Sequence, residues 1–129
     1  MPHVIIEHSE DVAGQIAIDD LVSAVHDATM SSELFPEYDI KTRATAYRHH
    51  RTGQTRDSFV HVAVHQLDGR SDQQKCNLSE AIFAKIEPLL PAVVSVGVEI
   101  VDIHRASYRK RELDSAPTSR LEVQLLSRS

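Results

Sequence analysis

Pro2, Arg43 and Arg70 are the residues of this chain whose types and places suit acid–base work on a small carboxylic acid. Aminopeptidases remove an initiator methionine when residue 2 is small, and proline qualifies. The chain would then begin with a prolyl secondary amine, which can be a base, rather than an amide, which cannot. An α-amino group titrates at roughly 7.7 to 8.0. Modest desolvation or a nearby cation therefore leaves it neutral near pH 7, as a general base requires. Arg43 falls in the middle of a strand-like run, on its polar side. Arg70 falls in the turn Gly69-Arg70-Ser71 at a helix start, where backbone N–H groups already favour anions. Two guanidinium groups so placed could clamp two carboxylates, each bidentate.

Other routes to chemistry are poorly supplied. His61 and His65 share a strand face, but four residues at about 3.3 Å each put their Cα atoms roughly 13 Å apart. That is too far for two ligands of one ion, with imidazole–zinc bonds of about 2.1 Å. No Cys-x-x-Cys or His-Glu-x-x-His spacing occurs, and the 4 glycines are scattered rather than gathered into a phosphate loop. No metal and no cofactor is expected. The single cysteine, Cys76, precludes an intramolecular disulfide framework and fits a cytoplasmic setting. It falls inside a helical pattern and reads as a buried or neutral thiol.

The elements that must position these residues follow from periodicity. Residues 2–8 alternate as a strand, with Val4 and Ile6 on one face and Ile5 and Glu7 on the other; His3 then points away from the Pro2 side. From Ile18 the spacing becomes helical: Ile18, Leu21, Val22, Val25, Ala28, Thr29. Leu34-Phe35-Pro36 ends that helix, since the residue before a proline avoids helical torsions. Residues 40–48 alternate again, and 49–57, with Gly53, read as a hairpin loop to a third strand over 58–67. Ser71 and Gln74 have capping-box spacing, opening a second helix with Leu78, Ile82, Ile86 and Leu89 on its apolar face. Residues 93–103 form a long, nearly continuous apolar strand, as for one covered on both sides.

The order is therefore β-α-β twice, an α+β subunit with a four-stranded sheet and two helices on one face. The other face is left bare, which predicts self-association through exposed apolar surface. Residues 1–109 form the domain, and 110–129 a C-terminal extension with a linker over 115–119 and then either a short strand over 121–125 or a frayed tail. At 129 residues, with 41% hydrophobic and 26% charged, the chain is one ordinary globular domain. No apolar run approaches the ~18 residues of a membrane span, and the net charge of −5 speaks against a nucleic-acid partner. That charge also gives an anionic substrate no help, so local arginines must supply the attraction.

The segments Met1-Pro2-His3-Val4-Ile5-Ile6-Glu7, Leu34-Phe35-Pro36, Ile40-Lys41-Thr42-Arg43, Phe59-Val60-His61-Val62, Gly69-Arg70-Ser71 and Val98-Glu99-Ile100, taken in order, resemble the tautomerase superfamily. Within it they are most similar to the 5-carboxymethyl-2-hydroxymuconate Δ-isomerase family. The resemblance runs through about residue 104. It implies a cofactor-free homotrimer of β-α-β-β-α-β subunits acting on a small dicarboxylate or tricarboxylate. Pro2 would shift a proton in a 2-hydroxymuconate-type dienoate, enol to conjugated ketone, with Arg43 and Arg70 holding carboxylates. The competing readings are a non-catalytic ferredoxin-like module, in which Pro2 is incidental, and a superfamily enzyme acting on another keto/enol acid.

Overall fold

The structure, a computed structural model, describes residues 1–111. The linker and strand expected at 115–119 and 121–125 lie outside the described residues. The elements are β1 (His3–Ser9), α1 (Ile18–Ser31), β2 (Lys41–Tyr47), β3 (Phe59–Leu67), α2 (Asp72–Ile86) and β4 (Ser95–Ile103), with short 3-10 turns between several of them. The sheet order is β2-β1-β3-β4. Within each half the strands are parallel, β1 with β2 and β3 with β4, and the halves meet through the antiparallel pair β1–β3.

Residues 49–57 are consequently not a hairpin loop. β2 and β3 are not neighbours; β1 lies between them, and the segment crosses from one side of β1 to the other. Its local turn, with Gly53 at positive φ and Thr52 bridged to Thr55, only looks like a hairpin tip in sequence. β3 pairs antiparallel with β1 instead, leaving β2 at the sheet edge.

Alternation decides which face each strand buries. Val4 and Ile6 of β1 and Val60, Val62 and Val64 of β3 face the helices and are withdrawn from water. Opposite them lie Leu21, Val25 and Ala28 of α1 and Leu78, Ile82 and Ile86 of α2. Each large apolar side chain so buried contributes roughly 1.5–3 kcal/mol, and this is what clamps both helices to one face. The expected fourth anchor, Leu89, is exposed, and Leu90 is buried in its place. Pro88 explains the shift: α2 tightens into a 3-10 turn over Glu87–Leu89, which rotates the stripe by one residue. Cys76 is exposed rather than buried, on the outer side of α2.

Two helix starts are built differently. Ser71 accepts a hydrogen bond from the Gln74 N–H at 3.1 Å while its own N–H donates to Gln74 Oε1 at 2.9 Å, the reciprocal capping box expected of α2. Ala17, at the corresponding place before α1, offers no side-chain cap.

The uncovered face is more polar than an apolar association surface. β4 is an edge strand with one side unpacked in the single chain, not a strand covered on both sides. Tyr47 donates to Glu7, His61 pairs with Glu99, and Arg43 Nη1 lies 3.0 Å from His3 Nδ1 across this face. Ile5 and Ala63 supply apolar surface between them at the β1–β3 seam.

Candidate active site

The start of β1 is drawn into the protein rather than left to fray. Lys41 N–H donates to Pro2 O at 3.1 Å, so the parallel ladder with β2 begins at the proline itself. A proline costs nothing there, because a first strand residue need not donate. Pro2 and Met1 are both buried. As the chain stands, with Met1 attached, the Pro2 nitrogen is an amide.

Met1 lies against a cleft of about 490 Å³. Its walls come from the Leu34-Phe35-Pro36 segment, the end of β3, the Gly69-Arg70 turn and the stretch following β4. Gly69 adopts φ +112°, a conformation that favours glycine, and this turns the chain sharply to set Arg70 on the cleft wall. Arg70 Nη2 donates to Leu34 O at 2.7 Å, and its guanidinium stands 5.2 Å from the centre of the Phe35 ring. One N–H and the ring face hold the group in place, leaving its other donors for a ligand.

Four residues that sequence reasoning missed stand at the cleft or against Met1: Asp39, Arg105 and Lys110 line it, and Tyr108 bonds Met1. Asp39, just before β2, receives the Met1 ammonium on its carboxylate, and its backbone carbonyl accepts from the same ammonium at 3.2 Å. Lys41 Nζ and Lys110 Nζ flank that carboxylate at 3.3 and 3.2 Å. Arg105 bonds the Asp68 carbonyl at 2.7 Å from its Nη2 and lies over Gly69. Tyr108 donates to the Met1 sulfur at 2.9 Å and sits 3.3 Å from His3 Nε2. Arg105, Tyr108 and Lys110 all come from the basic stretch after β4, whose run of charges was visible in sequence, though nothing there said it folds back.

Of the residues expected to act together, Arg70 lines the cleft, and Pro2 stands behind its lining residue Met1 without lining it itself. Arg43 is not among its lining residues; it projects from the bare face and reaches the cleft region only through His3 and Tyr108. His3, placed opposite Pro2 by alternation, is the link between the two.

The surroundings pull the terminus in both directions. Burial pushes the terminal amine below its ordinary value; Asp39 opposes this, while Lys41 and Lys110 add to it. Burial would raise the Asp39 carboxyl, but hydrogen bonds from the terminal ammonium and Lys110, with the Lys41 charge, hold it down at about 2. His3 is lowered too, by burial first and then by Arg43 and Lys41, so its imidazole stays neutral. Among the described residues no group of three His, Cys, Asp or Glu side chains is placed to hold a metal ion, and no helix is long and apolar enough to cross a membrane.

A cleft with a buried chain terminus, an arginine on an aromatic ring and further cations can bind a small anion beside an amine. Known proteins of the same build bear on what that anion is. A family model described as 5-carboxymethyl-2-hydroxymuconate isomerase matches residues 2–112. No curated protein sequence matches. Among solved structures, a 5-carboxymethyl-2-hydroxymuconate isomerase from Deinococcus radiodurans R1 superposes with a TM-score of 0.77 at 21% identity, covering 87% of this chain and 90% of that one. A 5-carboxymethyl-2-hydroxymuconate delta-isomerase gives 0.72 at 18% identity, covering 95% and 93%. A fused 4-OT symmetric trimer gives 0.67 at 17%, covering 88% and 93%. At such identities these structures establish the tautomerase-like fold.

Proposed function

The chain belongs to the 5-carboxymethyl-2-hydroxymuconate isomerase family, and from that membership we propose that it is a cofactor-independent isomerase whose base is the amine of Pro2, freed by removal of Met1. The observation that carries this reading is the burial of the chain terminus in a cationic cleft beside Arg70. A terminus with no task would ordinarily lie in solvent. Here it is withdrawn from water, fixed by the ladder and flanked by lysines, the conditions that keep an amine neutral and therefore basic.

The substrate is a 2-hydroxymuconate-type dienoate. The neutral prolyl nitrogen takes the enol proton and becomes an ammonium; the dienolate electrons shift along the conjugated chain; the ammonium then returns the proton to carbon. The enol becomes a conjugated ketone with no net proton or redox equivalent consumed. Negative charge gathers on the oxygens during the shift, and Arg70, already oriented by Leu34 O and Phe35, is the group that meets it. Arg43 holds a second carboxylate from the bare-face side. The subunit assembles as a homotrimer through that face, which would bring Arg43 and its neighbours out of water; likeness to a fused 4-OT trimer supports this.

Two measurements test the reading together. Intact mass of the native protein should be short of the encoded chain by one methionine. Pro2→Ala in the processed enzyme should lower kcat/KM on a 2-hydroxymuconate-type substrate by roughly 10²–10⁴-fold, the usual worth of a general base. It should leave the oligomer, read by light scattering, unchanged. A retained methionine in an active preparation, or undiminished turnover in Pro2→Ala, would remove the amine from the mechanism.

A further inference from the structure

We propose that Asp39 is a positioning residue for the prolyl amine: in the processed chain it accepts the N–H that is not transferred, and so aims the nitrogen lone pair into the cleft. This rests on Pro2 being the base. A neutral secondary amine carries one N–H and one lone pair, and it works as a base only if the lone pair faces the substrate. Something must therefore hold the N–H on the other side. A protonated amine has two N–H bonds, and the same partner must keep one while the other is delivered.

Asp39 is the residue built for this. Its carboxylate and its backbone carbonyl both already receive the terminal ammonium of Met1. Removing Met1 moves the terminus back by one residue, a Cα–Cα step of 3.8 Å. The Pro2 end of that step cannot drift, because its carbonyl is bonded to Lys41 N–H, two residues along from Asp39 on the same stretch of chain. The Asp39 side chain has only to turn within that distance. It is also kept ionised and in place: Lys41 and Lys110 grip its Oδ1, leaving Oδ2 for the amine.

The surrounding charges show why a carboxylate is tolerated next to a base. An isolated anion would favour the ammonium and spoil the amine. With Lys41 and Lys110 on it, the cluster presents a net positive charge to the terminus. On the remaining sides stand Arg70 and Arg105, the latter paired with Asp68, the Tyr108 hydroxyl, and His3 with Arg43 behind it. Asp39 thus supplies direction while its lysines oppose its field.

The test compares Asp39→Asn and Asp39→Ala in the processed enzyme through full pH profiles. Asp39→Asn keeps an acceptor oxygen but loses the charge. Its plateau kcat should stay within about threefold of the parent, while the acid limb of kcat/KM moves to lower pH by about one unit, since the anion favouring the ammonium is gone. Asp39→Ala loses the acceptor as well, and its plateau kcat should fall by tenfold or more, on the order of what a misoriented catalytic group costs. KM should change little in either. The proposal is overturned if both variants keep the parent's limb and plateau, or if the Asp39→Ala loss lies wholly in KM. Should Asp39→Ala fail to fold, the limb shift in Asp39→Asn decides alone. Pro2→Ala run alongside separates the cases: full activity there breaks the base assignment itself, whereas an inactive Pro2→Ala with unaltered Asp39 variants breaks only the positioning role.

Discussion

At one end of the sheet the carbonyl of Pro2 accepts the Lys41 N–H at 3.1 Å; at the other the carbonyl of Ser58 accepts the Ser95 N–H at the same distance. The two positions are counterparts, each just ahead of the first strand of a β-α-β half and bonded to the start of the second. Their furnishing differs. Ser58 meets neutral groups: its hydroxyl accepts from Val94 N–H at 3.2 Å, and the residue is buried. Beside Pro2, the Met1 ammonium meets Asp39, Lys41 and Lys110 pair with that carboxylate, and Met1 lines the Arg70 cleft. The same backbone device thus ends in a plugged corner in one half and a charged cavity in the other. Topology made the place; the side chains brought by the loops made it chemical.

The sharpest way to break that contrast is to remove an arginine from each end. Arg70→Ala deletes a charge-assisted clamp, worth roughly 1.5–3 kcal/mol, and should lower kcat/KM by about 10- to 150-fold, chiefly through KM if it binds a carboxylate already in the ground state. Arg48, at the Ser58 end, pairs with Glu10 at 3.2 Å with both side chains exposed. Arg48→Ala should leave turnover unchanged and move stability by less than about 1 kcal/mol. Steady-state kinetics on both variants decide it; comparable losses would mean that the cleft is not where substrate binds.

Ser58→Ala is the neutral counterpart of Pro2→Ala. It removes the partner of the Val94 N–H, in an exposed residue, and should cost about 0.5–1.5 kcal/mol in urea denaturation with kcat/KM intact. A large kinetic effect would show that the plugged corner takes part in catalysis after all.

What was legible in sequence divides along the same line. Both halves were readable because alternation in Val4–Ile6 and Val60–Val64 and the helical spacing through Leu21–Ala28 and Leu78–Ile86 are local signals. Gly69-Arg70-Ser71 was readable as a turn onto a capped helix, since glycine freedom and capping chemistry act within a few residues. Pro2 and Arg70 could be singled out by type and place. Asp39, Arg105, Tyr108 and Lys110 could not: Asp39 and Tyr108 reach Met1 across 38 and 107 residues, Lys110 reaches Asp39 across 71 and Arg105 reaches Asp68 across 37, and no local pattern encodes such distances. The crossing of 49–57 was hidden for the same reason. A Gly-containing polar loop between two alternating runs looks alike whether its strands pair or a third lies between them.

The finest difference between the halves lies at the helix starts. α2 opens on the Ser71–Gln74 capping box, while α1 opens on Ala17, whose φ −63° and ψ 126° are those of an N-cap without a side chain to use them. Replacing Ser71 by Ala should cost about 1 kcal/mol, and Ala17→Ser should gain about 0.5–1 kcal/mol by bonding one of the free N–H groups in the first turn. Asp19 and Asp20 already favour that end of α1, so serine is the better choice than a third carboxylate. Ala17 is remote from the cleft, whereas Ser71 follows Arg70 directly and its capping partner Gln74 lines the cleft. Thermal melts should therefore move in opposite directions, with kcat/KM constant in Ala17→Ser. A drop in kcat/KM in Ser71→Ala alone would show that the capping box also fixes the aim of Arg70, and that the second half is built for the site as closely as the first.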